Sequence, residues 1–327
     1  MAASIKRSAG LEGDNPLLGI FLMVLFCMMI PFSDAFVKIL GQSVSLVTVL
    51  VVRFSMQLIF MGTAMLIRRK GSIAHIINLR AYVWWRLFWR SSMQIAGIAG
   101  MYFGLRYMPM ADTTAICFIY PILMLFVGHF IMKEIVGPHR IFAALIGFCG
   151  TLMVVQPNFM SVGLNALWPV GVAFTFVVFM LVTRQMSRGI DPVSVQVVSA
   201  AIALVIITLP ILIFNGEGFE ALDLTWPTPR DWMFLLGAGV IGSLGHLLMT
   251  SAVHYAPSST LAPMQYLEIP FATLIGWIIF SDLPNTMAAW GIAVTVAAGL
   301  YIIYREQVAL KESHKQSPTE LPAEEII

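Results

Sequence analysis

Ten apolar runs separated by short polar joints constrain this chain more than any other feature. They fall at 17–40, 45–67, 83–105, 112–132, 141–156, 165–183, 193–214, 231–252, 259–280 and 286–304. A hydrocarbon core about 30 Å thick is crossed by roughly 20 apolar residues of helix. Backbone N–H and C=O groups find no partner in lipid, so each run has to close its own hydrogen bonds as a helix. Only 11% of the 327 residues are charged, where a soluble domain carries about 25%. That deficit excludes a soluble enzyme, a nucleic-acid-binding module, a disordered chain and a single-anchor protein. The expected fold is an all-α polytopic membrane protein with ten transmembrane helices.

The few charges are unevenly placed. With the amino terminus (1–16) in the cytoplasm, about fourteen basic residues, among them Arg68, Arg69, Lys70, Arg140, Arg184 and Arg305, fall inside, and about three (Lys38, Arg106, Arg230) fall outside. The positive-inside rule therefore predicts both termini cytoplasmic. No small-residue cleavage site follows the first run, so it reads as an uncleaved helix. The tail at 306–327 is polar, contains Pro318 and Pro322, and reads as disordered. Cys27, Cys117 and Cys149 all lie within apolar runs and read as small core residues. A net charge of +2 suggests no polyanionic partner.

Transporters are often built from repeated halves. The string RYMPMADTTAICFIYPILMLFVGHFIMKE, from Arg106, aligns with HYAPSSTLAPMQYLEIPFATLIGWIIFSD, from His254. Both open on an aromatic-X-Pro step, carry a proline mid-run (Pro121, Pro270) and end on an acid (Glu134, Asp282). VTVLVVRF, from Val47, likewise matches VSVQVVSA, from Val193. Each half then holds five spans, 17–160 and 161–305. Because five is odd, the second half enters the membrane with the opposite orientation, and the repeat is inverted.

Glu268 is the most informative residue. It lies mid-span, just before the helix-breaking Pro270, and an ionised group at that depth costs about 3 kcal/mol. It therefore faces a cavity or a partner. The QYLEIP segment gathers the Glu268 carboxylate, the Gln265 amide, the Tyr266 phenol and a carbonyl freed by the proline. Two readings stand: a substrate or proton site, and a structural ion pair or protonated acid. Arg53 is the natural cationic partner, or else snorkels to an interface. Asp34 and Lys38 form an i,i+4 pair that reads as interfacial. Asp112 reads as a helix cap after Pro109. Tyr120 stands opposite Glu268 in the repeat and is a second cavity wall. Gln94 shares its span with Gly97, Gly100 and Gly104; the last two have GxxxG spacing, which favours close helix approach. His129 and His246 are lone histidines without metal-ligand spacing around them.

Enzymatic and channel chemistry lack their residues. IGSLGH, at Ile241–His246, misses the first glycine of a GxSxG elbow. There is no GxxxxGK[ST] loop and no TVGYG-like filter. No enzyme activity and no cofactor are expected. A non-transporting scaffold or sensor is the rival class, and it lacks any soluble domain to support it.

The ten spans, the five-plus-five repeat and the two aligned strings resemble the EamA domains of the drug/metabolite transporter superfamily, over about residues 17–305. The motifs carrying the resemblance are Arg53-Phe54 in the second span, the RY-x-P opening of the fourth, and the proline with terminal acid in the fourth and ninth. The resemblance implies a bacterial inner-membrane carrier that moves small organic metabolites by alternating access. SDAFVK, at Ser33–Lys38, and QYLEIP are similar to a subgroup with riboflavin and S-adenosylmethionine carriers. A riboflavin-like heteroaromatic substrate is the first expectation, an amino acid or amine the second, with protons as the coupling ion. The chain departs from the family pattern at Asp282, where glutamate is usual, and at Ser199, the counterpart of Arg53. Glu268, Gln265, Tyr266, Tyr120, Arg53 and Gln94 are the expected substrate or coupling residues.

Overall fold

A computed structural model describes residues 15–41, 43–68, 80–108, 110–134, 136–155, 163–186, 190–281 and 285–316. All regular structure among them is helical. The first half comprises α1 (Pro16–Leu40), α2 (Leu46–Arg68), α3 (Ala81–Tyr107), α4 (Met110–Cys117), α5 (Tyr120–Phe130) and α6 (Pro138–Val155). The second comprises α7 (Leu167–Met186), α8 (Pro192–Phe214), α9 (Pro229–Tyr255), α10 (Ser258–Leu261), a 3₁₀ segment (Ala262–Leu267), α11 (Glu268–Phe280) and α12 (Thr286–Gln316). Among the described residues, six helices are long and apolar enough to cross a membrane. The other four apolar runs of the sequence differ for identifiable reasons. α3 carries Arg86, Arg90 and Arg106, α6 is short, and two runs are broken near their prolines.

Helix starts follow local chemistry. Asn15 accepts from Leu18 N (3.1 Å) and Asp191 from Ser194 N (3.1 Å), each followed by proline at the first helical position. Thr228 and Asp231 form a reciprocal capping box on α9. Asp231 also accepts from Ser43 Oγ at 2.9 Å, tying the α1–α2 joint to the other half.

The breaks follow from proline. Pro121 cannot donate to the Cys117 carbonyl, and α4 stops at Cys117, two residues before α5. In the ninth run the chain passes through the 3₁₀ segment, with Pro263 near its start, before α11 begins at Glu268. Both broken runs end alike. Lys133 (φ 56°) and Ser281 (φ 60°) are the two non-glycine residues in the left-handed region among those described, and they occupy matching places in the aligned strings.

The most extensive helix contacts join the halves: α1 with α9, α3 with α7, α2 with α8, and α6 with α12. Exchanging the halves maps α1–α9 onto α7–α3 and maps the other two pairs onto themselves. The packing therefore carries the symmetry seen in the strings. Glycine permits the closest approaches. A Cβ at Gly100 would stand 2.7 Å from Val172 Cγ2, and one at Gly150 would stand 2.9 Å from the Gly291 carbonyl. Gly104 packs against Thr113 instead of a distant helix.

Two sequence expectations are revised. The tail is not wholly irregular, because α12 runs on to Gln316; EQVALKESHKQ is rich in helix formers and precedes Pro318. Asp34 and Lys38 do not act as an isolated surface pair. Lys38 Nζ lies 4.4 Å from the Phe280 ring centre, while Asp34 lines an internal cavity. Asp282, Pro109, residues 317–327 and the Asp112 side chain lie outside what the structure describes.

Candidate functional site

A cavity lies between the halves. Its walls come from α1, α2, α3, the α4–α5 break, α7, α9 and the start of α11. Four of the six residues singled out from sequence line it: Glu268, Tyr120, Arg53 and Gln94. Tyr120 and Glu268, the paired positions of the repeat, both reach it because each sits where its broken run resumes as helix.

Gln265 and Tyr266 do not line the cavity. Both are fully buried in packing. Gln265 Nε2 lies 3.7 Å from Met23 Sδ, and the Tyr266 ring fills the space a side chain at Gly147 would need, 2.4 Å from the Cβ position. The Tyr266 hydroxyl donates to the Phe118 carbonyl at 3.4 Å, satisfying a group at the first-half break. The 3₁₀ segment is wedged among α1, α6 and α12, so its side chains are packed away from the cavity, with Gln265 Oε1 left without a hydrogen-bond partner among the described residues.

Arg53 is buried and donates through Nη1 to Ser33 Oγ at 3.0 Å. Its guanidinium occupies the open face of Gly242, where an added Cβ would come within 2.7 Å of Cζ. Asp34, on the same helix as Ser33, is its electrostatic partner, and Asp34 in turn repels Glu268 when both are ionised. The Arg53 guanidinium is thus paired electrostatically with Asp34, while the charged neighbour of Glu268 is Asp34 itself.

Aromatic rings form a continuous wall. Phe118 and Tyr120 centres are 5.4 Å apart, Tyr120 and Phe176 4.6 Å, Phe176 and Phe179 6.2 Å, and Phe179 and His246 5.7 Å. Such a wall presents ring faces and edges to a flat guest. Arg90 covers Phe179 from outside, 4.5 Å from its centre.

Arg90 is the counterweight to Arg53. It is fully buried and donates to Thr183 Oγ1 (3.0 Å), Ser199 Oγ (2.8 Å) and Thr250 Oγ1 (3.2 Å). Ser199 is the position where the second half lacks an arginine. The small side chain leaves room for a guanidinium supplied by α3, so the repeat is broken by filling the same space from another helix.

Four polar atoms are buried without a protein hydrogen bond among the described residues and belong to cavity-lining side chains: Arg53 Nε, Gln94 Oε1, Thr114 Oγ1 and His246 Nδ1. Leaving such a group dry costs about 1–3 kcal/mol, so their convergence marks a place that water or a guest satisfies. His129 is exposed on the outer surface and takes no part.

The sequence and the fold are matched by known proteins. The EamA-like transporter family matches residues 17–156 and 164–305, one match for each half. The chain belongs to the EamA-like transporter family. It is a multi-pass membrane protein of a transporter family. Among relatives, it is 23% identical to the riboflavin transporter of Brucella anthropi over 66% of this chain and 75% of that one. It is 24% identical to the S-adenosylmethionine uptake transporter of Rickettsia felis, over 69% and 74%. A riboflavin transporter of Vibrio cholerae is 28% identical over 52% and 55%. A solved crystal structure superposes with a TM-score of 0.67 at 16% identity, covering 89% of this chain and 98% of the other, and shares the fold.

Sequence reasoning missed Asp34, Thr114, Phe176, Phe179 and Arg90. Asp34 carried a signal, an acid one turn after Pro31 in an apolar run, but Lys38 offered it a nearer explanation. Phe174, Phe176 and Phe179 look alike in FTFVVF, and only packing separates the exposed Phe174 from the cavity pair.

Proposed function

We propose that this protein is a secondary active transporter of a small heteroaromatic metabolite, riboflavin or a similar compound, across a bacterial inner membrane. Ten spans in two inverted sets of five, with both termini cytoplasmic, carry the substrate through the central cavity by alternating access. The observation that carries this reading is the cavity itself: an aromatic wall with four unpartnered polar atoms, placed between halves that exchange under the repeat. The riboflavin transporters among the relatives agree with a flat guest. Glu268 and Tyr120 mark the paired breaks, where the least backbone has to be unmade for the halves to rock. Glu268, with Asp34 beside it, is the proton-coupling group.

A second reading is a transporter of an amine or amino acid. It is favoured by the excess of carboxylates, Asp34 and Glu268 against Arg53, around the cavity.

Uptake of riboflavin into proteoliposomes tests the first reading. Saturable, pH-gradient-dependent uptake is expected. Flux linear in concentration would indicate a channel, and no flux of riboflavin, amines or amino acids would leave a scaffold. Competition by amines but not by flavins would select the second reading.

A further inference from the structure

Three glutamines on three helices form a directed relay that ends in the cavity. Gln196 Nε2, on α8, donates to the His246 carbonyl and to Thr250 Oγ1, both at 2.8 Å on α9. Gln57 Nε2, on α2, donates to Gln196 Oε1 at 2.7 Å and to the Gln196 backbone carbonyl at 3.1 Å. Gln94 Nε2, on α3, donates to Gln57 Oε1 at 3.5 Å, the longest link. Gln57 and Gln196 are buried and do not line the cavity, whereas Gln94 does.

The direction of this chain is not arbitrary. An amide side chain carries one acceptor end and one donor end, and a backbone carbonyl only accepts. The His246 carbonyl fixes the donor end of Gln196. The Gln196 carbonyl, together with Oε1, fixes the donor end of Gln57. The Gln57 oxygen then faces Gln94, which has to offer its NH₂. Its oxygen is left pointing away from the relay, 4% exposed as a residue and without a protein partner among the described residues.

We infer that Gln94 is the specificity-determining acceptor of the substrate site, oriented by Gln57 and Gln196 as positioning residues, and that the substrate meets it with a ring N–H held between the aromatic walls. The inference rests on the transporter reading above and adds to it the polarity of one substrate edge. A flavin fits this class, since the imide N–H of its ring lies at the edge of a flat system that stacks on Tyr120 and Phe176.

The test measures binding of riboflavin and of 3-methylriboflavin, which lacks that N–H, to the purified full chain by equilibrium dialysis. Wild type is expected to prefer riboflavin by at least about tenfold, the worth of one net hydrogen bond. Gln94→Ala removes the acceptor and makes room for the methyl, bringing the preference to within about twofold. Gln57→Leu, at a side chain that does not line the cavity, lowers it similarly, because Gln94 is free to turn. A merely structural role for Gln57 would weaken both ligands and leave their ratio unchanged. If Gln57→Leu is poorly folded, Gln57→Met, which keeps the length of the side chain and removes both polar ends, gives the same comparison. An unaltered ratio in these variants, or a ratio of one in wild type, overturns the inference while the transporter reading stands. Failure of wild type to bind riboflavin at all overturns both the inference and the flavin reading.

Discussion

The two broken runs, Met110–Phe130 and Ser258–Phe280, have the same backbone plan and different chemistry. Each is interrupted near a proline, and each ends in a left-handed non-glycine residue, Lys133 or Ser281. At the resumption of helix the first presents a phenol, Tyr120, and the second a carboxylate, Glu268, to the same cavity. One residue pair further back, Cys117 and Phe118 line the cavity while their counterparts Gln265 and Tyr266 are consumed by packing. Symmetry in such a protein belongs to the hinge-like backbone. The side chains are free to diverge, because only one substrate has to be held and it is not itself symmetric.

This comparison is open to direct attack. The largest effect is expected at the acidic side of the pair. Glu268→Gln should lower riboflavin uptake in proteoliposomes by about 100-fold, the value of a charged hydrogen bond, and should flatten the response to a pH gradient. Wild-type rate and pH dependence in that variant would remove Glu268 from the mechanism. Next comes the packing side. Gly147→Ala drives a Cβ into the Tyr266 ring, and overpacking of that kind costs about 1–3 kcal/mol; thermal melting should fall while the Kd for riboflavin in the folded fraction holds. A changed affinity with unchanged melting would restore Tyr266 to the site.

Tyr120→Phe keeps the ring and loses only the hydroxyl, so uptake should fall by less than about tenfold if stacking dominates its role. A loss equal to that of Glu268→Gln would make the two halves chemically equivalent. The smallest effects concern the shared turns. Lys133→Gly and Ser281→Gly relieve left-handed backbone and should each stabilise by roughly 0.5 kcal/mol, read as small upward shifts in melting. Opposite signs at the two positions would show that the ends of the broken runs are not equivalent.

Much of this architecture was legible because lipid imposes it. Windows of apolar residues gave helix edges within a few residues of α1, α2, α8 and α9, and the repeat gave the Tyr120–Glu268 pairing. Proline at 121 and 270 marked the breaks. The cavity list was legible only in part. Gln265 stands one turn before Glu268 and faces a similar direction, but a sequence does not reveal where a cavity stops. Here it stops because Met23 and Cys27 of α1 fill the next turn, Cys27 Sγ lying 3.7 Å from the Met264 carbonyl. Arg90 left no pattern, since its partners are three hydroxyls on three other helices, at sequence separations of 93, 109 and 160.

The sequence by itself determined that the chain lives in a membrane, that it is built from two related halves, and that Arg53 and Glu268 lie deep among apolar residues. Those properties follow from composition, period and order along the chain, which the cost of burying charge and backbone in hydrocarbon converts directly into structure. The tertiary structure decided which faces of the helices meet. It placed Asp34 inside, sealed Gln265 and Tyr266 in packing, filled the space at Ser199 with Arg90, and turned the donor end of Gln94 towards Gln57. Each of these depends on contacts between residues far apart in the chain, where the surroundings and not the residue type determine what a polar group does.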